Sequence, residues 1–343
     1  MKALVKTKKG PGNLELMDMP VPSAGEGEVL LKILAAGVCG TDIHVRDDNF
    51  PYWPPVILGH EFSGRIVKVG PGVTLFKEGD RVVGEPHTRA CGHCYLCRTG
   101  NIQICPEKRS PGWGIDGAMA EYLVMPEKLL HRLPDSIPDD VGAVIEPTGN
   151  AVHDVLERAR VQAGEFVVVI GPGPIGLLAA MTARAAGARE VVIIGTNSDE
   201  SLRLEKARQL GFKTVNCQQQ KASQIVQEMT AGIGADLVVE CSGSAGGIAS
   251  TVELIRKKGR ICAIGLPGKQ QVIFPYAAAS FKVCDVFFCM STSYTCWDTA
   301  INLVAAGKIP AGEIITHRRP LEEWKEVFDD IDNQRAIKAV LIP

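Results

Sequence analysis

Apolar and polar positions fall into two regimes along the chain. Up to about residue 148 the apolar runs are short and lie between glycines and prolines, as at 29–34, 64–69 and 80–83. Short β-like runs separated by turn residues predict a mostly β, barrel-like domain. Beyond Glu146-Pro147 the pattern changes. Residues 150–160 read as a helix, and 166–170, 191–194, 236–239 and 260–264 read as short buried strands. Helical patterns at 201–210 and 248–258 alternate with them. Strands alternating with helices predict a parallel, doubly wound sheet, so the fold class is α/β. The last stretch reads as a helix around 297–306, a second around 321–330 and an apolar strand at 337–342.

Residues 166–183 carry no charge and approach the length of a membrane span. Gly171, Pro172, Gly173, Pro174 and Gly176 break that run into a strand, a turn and a helix, so no span is expected. At 343 residues two domains with sizeable cores are expected. A net charge of −2 gives no electrostatic case for nucleic acid or an anionic membrane. The first residues lack an apolar signal core, and a cytoplasmic location is expected. Eleven cysteines, four of them tightly clustered, then point to metal binding rather than disulfides.

The uncharged run holds the first chemical motif. Gly171-Pro172-Gly173-Pro174-Ile175-Gly176 is G-x-G-x-x-G between a strand and a helix, the context that makes it a dinucleotide-binding turn. Gly171 permits the tight turn, Gly173 admits the pyrophosphate and Gly176 lets helix and strand pack; Pro174 and Ile175 sit in the same turn. The helix N-terminus suits the phosphate charge. The next strand should end in an acid that holds the adenosine ribose. Gly195 stands there instead, followed by Thr196, Asn197 and Ser198. With no carboxylate to repel a 2′-phosphate, and with Arg203 available to attract one, NADP is favoured over NAD. Asp199 and Glu200 argue the other way.

Cys91, Cys94, Cys97 and Cys105 are spaced C-x2-C-x2-C-x7-C. Four thiolates complete a closed tetrahedral zinc shell, which is a structural site. His93 lies inside the cluster and is read as solvent-facing. Three other segments supply a second set of ligand types: Cys39 with Thr41, Asp42 and His44; His60 with Glu61; and Glu146 in Glu146-Pro147-Thr148-Gly149-Asn150.

Taken together in this order, the motifs resemble the zinc-dependent medium-chain alcohol dehydrogenase family over nearly the whole chain. The 146–153 segment is similar to its threonine dehydrogenase branch, and Gly84-Glu85-Pro86 to its polyol (sorbitol) branch. The resemblance implies a GroES-like catalytic domain (1–148) with a zinc lobe, a Rossmann domain (149–291) and a tail (292–343) returning to the first. It assigns the catalytic zinc to Cys39, His60 and Glu146, with Glu61 as an alternate ligand. It implies a proton relay through Thr41, the cofactor ribose and His44. Asp42 is expected to orient His60 or the local turn. Gly265, Leu266 and Ser291 are expected near the nicotinamide.

The expected reaction is hydride transfer from a secondary alcohol of a polyol or amino alcohol to NAD(P), giving the ketone. A non-catalytic nucleotide-binding protein that kept the fold is the alternative. Phe50, Tyr52, Trp53, His87, Arg109, Trp113 and Glu121 are candidates to border the substrate. Many family members carry an arginine near Ser291, and none is present here, which weakens direct transfer of a substrate contact. The apolar stretch 283–290 suggests edge pairing and a homo-oligomer, a tetramer or a dimer.

Overall fold

A computed structural model describes residues 1–343. The chain divides into two compact units, Met1–Glu146 with Thr292–Ala305 and Ala311–Pro343, and Pro147–Ser291 with Ala306–Pro310.

In the first unit, Glu28–Gly37 is the spine of an antiparallel sheet. It pairs with Glu61–Val69 along one edge, and with Tyr122–Pro126 and Lys338–Ile342 along the other. Arg81–Gly84, Leu130–Arg132 and the parallel-paired Ile315–Pro320 extend the sheet. A smaller sheet joins Lys2–Lys6 to Leu14–Asp18 and Val56–Ile57. Inward-facing Leu31, Ile33, Phe62, Ile66, Met125 and Phe328 form the core, whereas Lys32 and Arg65 on the spine strands face solvent. This alternation is that of a sheet with one buried face.

The second unit is an all-parallel six-stranded sheet. Its order is Lys213–Asn216, Glu190–Gly195, Phe166–Ile170, Ala235–Glu240, Ile255–Ala263, Asp285–Phe288. All five residues of Phe166–Ile170 are buried, as a strand covered on both faces requires. The chain order reverses on either side of this strand, and that is the switch point where such sheets bind ligands.

Three helical readings change in detail. The 150–160 pattern is an α-helix Ile145–Val152 continued by a π-helical stretch His153–Arg158, and a second π-helical stretch, Glu200–Leu204, leads into the helix Glu205–Gln209. The 248–258 helix ends early, at Leu254, and the strand begins at Ile255. Lys258 has φ +55° and so cannot continue a right-handed helix, while Ile255 pairs with Ala235 in the sheet. No helix is long and apolar enough to cross a membrane.

Candidate active site

The Gly37–Glu61 strand pair builds the ligand pocket in the first unit. In antiparallel register, Cys39 lies two residues beyond one partner and His60 one residue before the other, so both emerge at the same end of the sheet. Cys39 caps the helix Gly40–Arg46, and its N–H donates to Asp42 Oδ2 at 2.9 Å. Asp42 Oδ1 accepts from Gly59 N at 3.2 Å, which ties the two ligand-bearing turns together. Gly59 has φ +93°, and a Cβ there would lie 2.9 Å from Met119 N. Asp42 therefore orders the turns more than the imidazole: it stands 4.0 Å from His60 Nδ1, and that nitrogen has no hydrogen-bond partner.

Ligand atoms of Cys39, His60 and Glu61 lie within 4.8 Å of one another. Glu146 lies outside this compact group, but it is buried and its charge acts on His60 and on Lys338. Burial opposes a charge on His60, yet the Cys39 thiolate, Asp42 and Glu146 outweigh it and hold the imidazolium up to about 10. A thiol, an imidazole and a carboxylate brought within 4.8 Å of one another, with the buried Glu146 acting on the imidazole, form a pocket suited to a cation of zinc's ligand preferences. Thr41 Oγ1 is 3.7 Å from Cys39 Sγ, and His44 is exposed on the same short helix.

Two groups here escaped the sequence reading. Lys338 is buried, ion-pairs with Glu61 and donates to Val38 O at 2.8 Å. Its only signal is a lysine inside an otherwise apolar strand. The second is His131, which links exposed Asp298, at 3.0 Å, to buried Glu85, at 3.1 Å, and Glu85 stands 3.7 Å from His87, a residue the sequence reading names on its own.

Cys91, Cys94, Cys97 and Cys105 converge as expected. The Cys91–Cys97 and Cys94–Cys105 sulfur separations are 3.9 and 4.0 Å. Tetrahedral zinc with bonds of about 2.3 Å places sulfurs about 3.8 Å apart, so the four thiols fit that ion. Backbone N–H groups of Cys91, Cys94 and Cys97 point at the sulfurs of Cys105, Cys91 and Cys94 at 3.4–3.5 Å, an arrangement that favours thiolates. The Cys91 N–H holds Cys105 down to about 7. His93 is exposed and turned to Cys91 O.

In the second unit, Gly171 has φ +96° and a Cβ there would meet Ser242 N at 2.9 Å. A Cβ on Gly176 would lie 1.9 Å from Gly171 O, so the helix Pro174–Ala185 can start there only on glycine. A Cβ on Gly173 would meet nothing within 4 Å, leaving open space beside the helix N-terminus, as a bound pyrophosphate requires. Gly171, Gly195 and Thr196 line one recess. Gly195 is glycine for steric reasons: a Cβ would press on Pro172 and Leu204 at 3.0 Å. Asp199 is occupied, accepting from Thr196 N and Oγ1 and pairing with Arg203 at 3.3 Å. Glu200 is likewise taken up by Arg208 and Asn216. Asn197 is exposed and its side-chain oxygen accepts from Asn216 Nδ2. Gly265 N donates to Glu240 O, Leu266 is exposed, and Ser291 has φ +65°.

A phosphate-cradling turn on a parallel sheet, with a thiolate–imidazole–carboxylate pocket in the other unit, defines a metal- and dinucleotide-dependent dehydrogenase. Comparison with known proteins agrees. Residues 25–135 match the family described as alcohol dehydrogenase GroES-like domain, and residues 174–306 match zinc-binding dehydrogenase. A sorbitol dehydrogenase of Halalkalibacterium halodurans is 37% identical over 100% of this chain and 99% of its own. A D-arabitol-phosphate dehydrogenase of Enterococcus avium is 33% identical over 99% and 97%. A zinc-binding dehydrogenase of Sinorhizobium meliloti, solved bound to NADP, superposes with a TM-score of 0.92 at 29% identity, covering 100% of this chain and 99% of that one. The chain belongs to the zinc-dependent medium-chain alcohol dehydrogenase family, and it is an NAD(P)-dependent alcohol oxidoreductase.

Proposed function

We propose that the chain oxidises a secondary alcohol of a polyol or amino alcohol to the ketone, and that Cys39, His60 and Glu146 hold the catalytic zinc. The convergence of Cys39, His60 and Glu61 beside the buried Glu146 carries this reading. When bound, zinc supplies the Lewis acidity that makes the alcohol proton labile, and NAD(P) accepts the hydride. Cys39 and Glu146 contribute negative charge that balances the ion, and His60 completes the set. Glu61, held by Lys338, is an alternate ligand. Thr41 Oγ1 would take the alcohol proton while handing its own to the cofactor ribose, and exposed His44 would pass the proton on to solvent. Cys91, Cys94, Cys97 and Cys105 hold a second, structural zinc.

NADP is the preferred coenzyme in this reading. The acids nearest Gly195 are already paired, which leaves the Asn197 amide N–H2 and the Ser198 hydroxyl to donate to a 2′-phosphate. Gly265, Leu266 and Ser291 border the nicotinamide. The strand Asp285–Phe288 ends the parallel sheet, and Val283, Phe288 and Met290 are exposed there. An apolar open edge supports assembly into a tetramer or a dimer, which light scattering would measure. A cytoplasmic location completes the reading.

The test is the initial rate of nicotinamide reduction with NAD or NADP, offered polyols, amino alcohols and simple secondary alcohols, with and without a zinc chelator. Chelator-sensitive turnover of a polyol or amino alcohol, faster with NADP, is expected. Turnover that survives both chelation and the Cys39→Ala change would overturn the site assignment.

A further inference from the structure

Six of the eleven cysteines lie outside the proposed metal sites, and two of these six meet. Cys262 lies in the strand Ile255–Ala263, and Cys289 directly follows the parallel neighbour of that strand, Asp285–Phe288. The register sets Cys262 opposite Phe287. Cys289, two residues on, therefore shares its face of the sheet. The two sulfurs stand 3.6 Å apart, in van der Waals contact.

The two thiols are not equivalent. Cys262 is fully buried, and its Sγ lies 3.5 Å from Asp154 O in the π-helical stretch His153–Arg158. Contact with Cys289, together with burial, pushes the Cys262 thiol well above the usual range. Cys289 is 9% exposed and borders an apolar recess with Leu266, Phe288 and Met290. The same π-helical stretch supplies Arg158, which donates to Phe288 O at 3.3 Å. Contact with Cys262, aided by the Arg158 guanidinium, holds the Cys289 thiol below the usual range against its burial. A thiol with thiolate character beside a recess, backed by a second thiol, has the arrangement of a reactive cysteine and its resolving partner.

Their backbones are also held unequally. Cys262 is paired on both sides, with Val239 in one neighbouring strand and Phe287 in the other. Cys289 lies past the end of its strand, where its N–H donates to Ala263 O at 3.0 Å. Exposed Met290 follows, and then Ser291 in the left-handed region at φ +65°. A disulfide needs a sulfur separation of about 2.05 Å, so the pair has to close by about 1.5 Å. That displacement falls on residues 289–291 rather than on the strand paired along both edges.

We infer that Cys289 and Cys262 form a peroxide-oxidisable dithiol whose disulfide weakens coenzyme binding. The consequence for the coenzyme rests on the reading given above, in which Ser291 borders the nicotinamide. The Cys289 thiolate attacks one oxygen of hydrogen peroxide. An S–O bond forms, the O–O bond breaks, and the departing hydroxide takes up the thiol proton as water. Cys262 then attacks the Cys289 sulfur. The S–S bond forms, the S–O bond breaks, and the second hydroxide leaves with the Cys262 proton as water. The two thiols together lose two electrons and the peroxide gains them. A dithiol reductant reverses the step. Linkage is reciprocal, so bound coenzyme must in turn disfavour the disulfide.

The test uses the zinc-loaded full chain, hydrogen peroxide as oxidant, and NADP and NAD as ligands. Peptide mapping by mass spectrometry locates any linkage. Calorimetric titration gives the coenzyme Kd before oxidation, after it, and after dithiothreitol, with zinc content measured at each stage. A Cys262–Cys289 link with zinc retained is expected, and with it a rise in Kd of at least about fivefold that dithiothreitol reverses. Saturating coenzyme should reduce the yield of the link. Cys262→Ala should bind coenzyme as the parent does and lose the reversible response, its Cys289 sulfenic acid being captured by dimedone instead. Cys289→Ser should lose both the response and the capture. No link, a link to Cys241 in place of Cys262, an unchanged Kd in the linked protein, or the same loss of affinity in both variants overturns the inference and leaves the dehydrogenase reading intact. Failure of the reduced parent to bind either coenzyme would instead sink the dinucleotide reading, and the coenzyme consequence with it.

Discussion

Lys338 holds the Glu61 carboxylate in a buried ion pair beside Cys39, and Val38 O takes another of its protons at 2.8 Å. Glu61 is also pinned from behind, because a Cβ on Gly37 would lie 2.2 Å from its Oε2. Breaking one half of a buried pair leaves an uncompensated charge, at a cost of about 3–5 kcal/mol. Lys338→Met should therefore lower the unfolding free energy by that order, and adding Glu61→Gln should recover most of the loss. Urea unfolding of the zinc-loaded single and double variants measures both steps. A loss below about 1 kcal/mol in the single variant would mean that water reaches the pair.

The glycines of the dinucleotide turn separate fold from function. Gly173 has φ −68° and space where a Cβ would go, so Gly173→Ala should leave the unliganded protein as stable as before, or slightly more so. It should still weaken coenzyme binding, because the methyl occupies the space left for pyrophosphate. Gly176→Ala puts a Cβ 1.9 Å from Gly171 O, so it should lower both thermal stability and coenzyme affinity. Melting curves with calorimetric coenzyme titration distinguish the two. Unchanged coenzyme affinity in Gly173→Ala would place the pyrophosphate elsewhere.

Much of this was legible in the sequence because the chemistry is locally encoded. The four-cysteine lobe lies within fifteen residues, and the glycine turn is bracketed by its own strand and helix. Cys39, His60 and Glu61 were found through the resemblance, and the Gly37–Glu61 register explains why they meet. Lys338 was invisible because its partner is some 277 positions away and only the pairing of Lys338–Ile342 with Glu28–Gly37 brings them together. The early end of the helix at Leu254 was missed for a similar reason. Arg256, Lys257 and Lys258 suit a helix, but pairing of Ile255 with Ala235 wins. Asp199 read as an acid against NADP, whereas its carboxylate is consumed by the backbone and by Arg203.

Cys97→Ser tests the proposed second zinc. It removes a sulfur from a lobe that has no buried apolar residue in its helix Tyr95–Arg98, so in the proposed reading a bound zinc would be what organises the segment. The variant should bind one zinc fewer by elemental analysis, and it should melt earlier. Proteolysis should begin within 91–105. Its coenzyme affinity should be unchanged, because the glycine turn lies in the other unit. Full zinc content in the variant would show that the lobe does not hold the ion.

His87 gives the protein a predictable response to acid. Burial, with the nearby Lys108 charge, pushes its imidazole down to about 3, although its Nε2 contacts Thr292 O and Oγ1 at 3.2 and 3.1 Å and stands 3.7 Å from Glu85. In the unfolded chain the same group titrates near 6.5. Between these values the unfolded state holds the extra proton, so stability falls as the pH falls from 6.5 toward 3 and is fully present above 6.5. At pH 5 the difference amounts to about 2 kcal/mol. His87→Asn has no proton to take up, so the stability gap between it and the parent should narrow by that amount between pH 7 and pH 5. Urea midpoints at the two pH values measure the gap. A constant gap would mean that folded His87 accepts its proton, with Glu85 as the counter-ion.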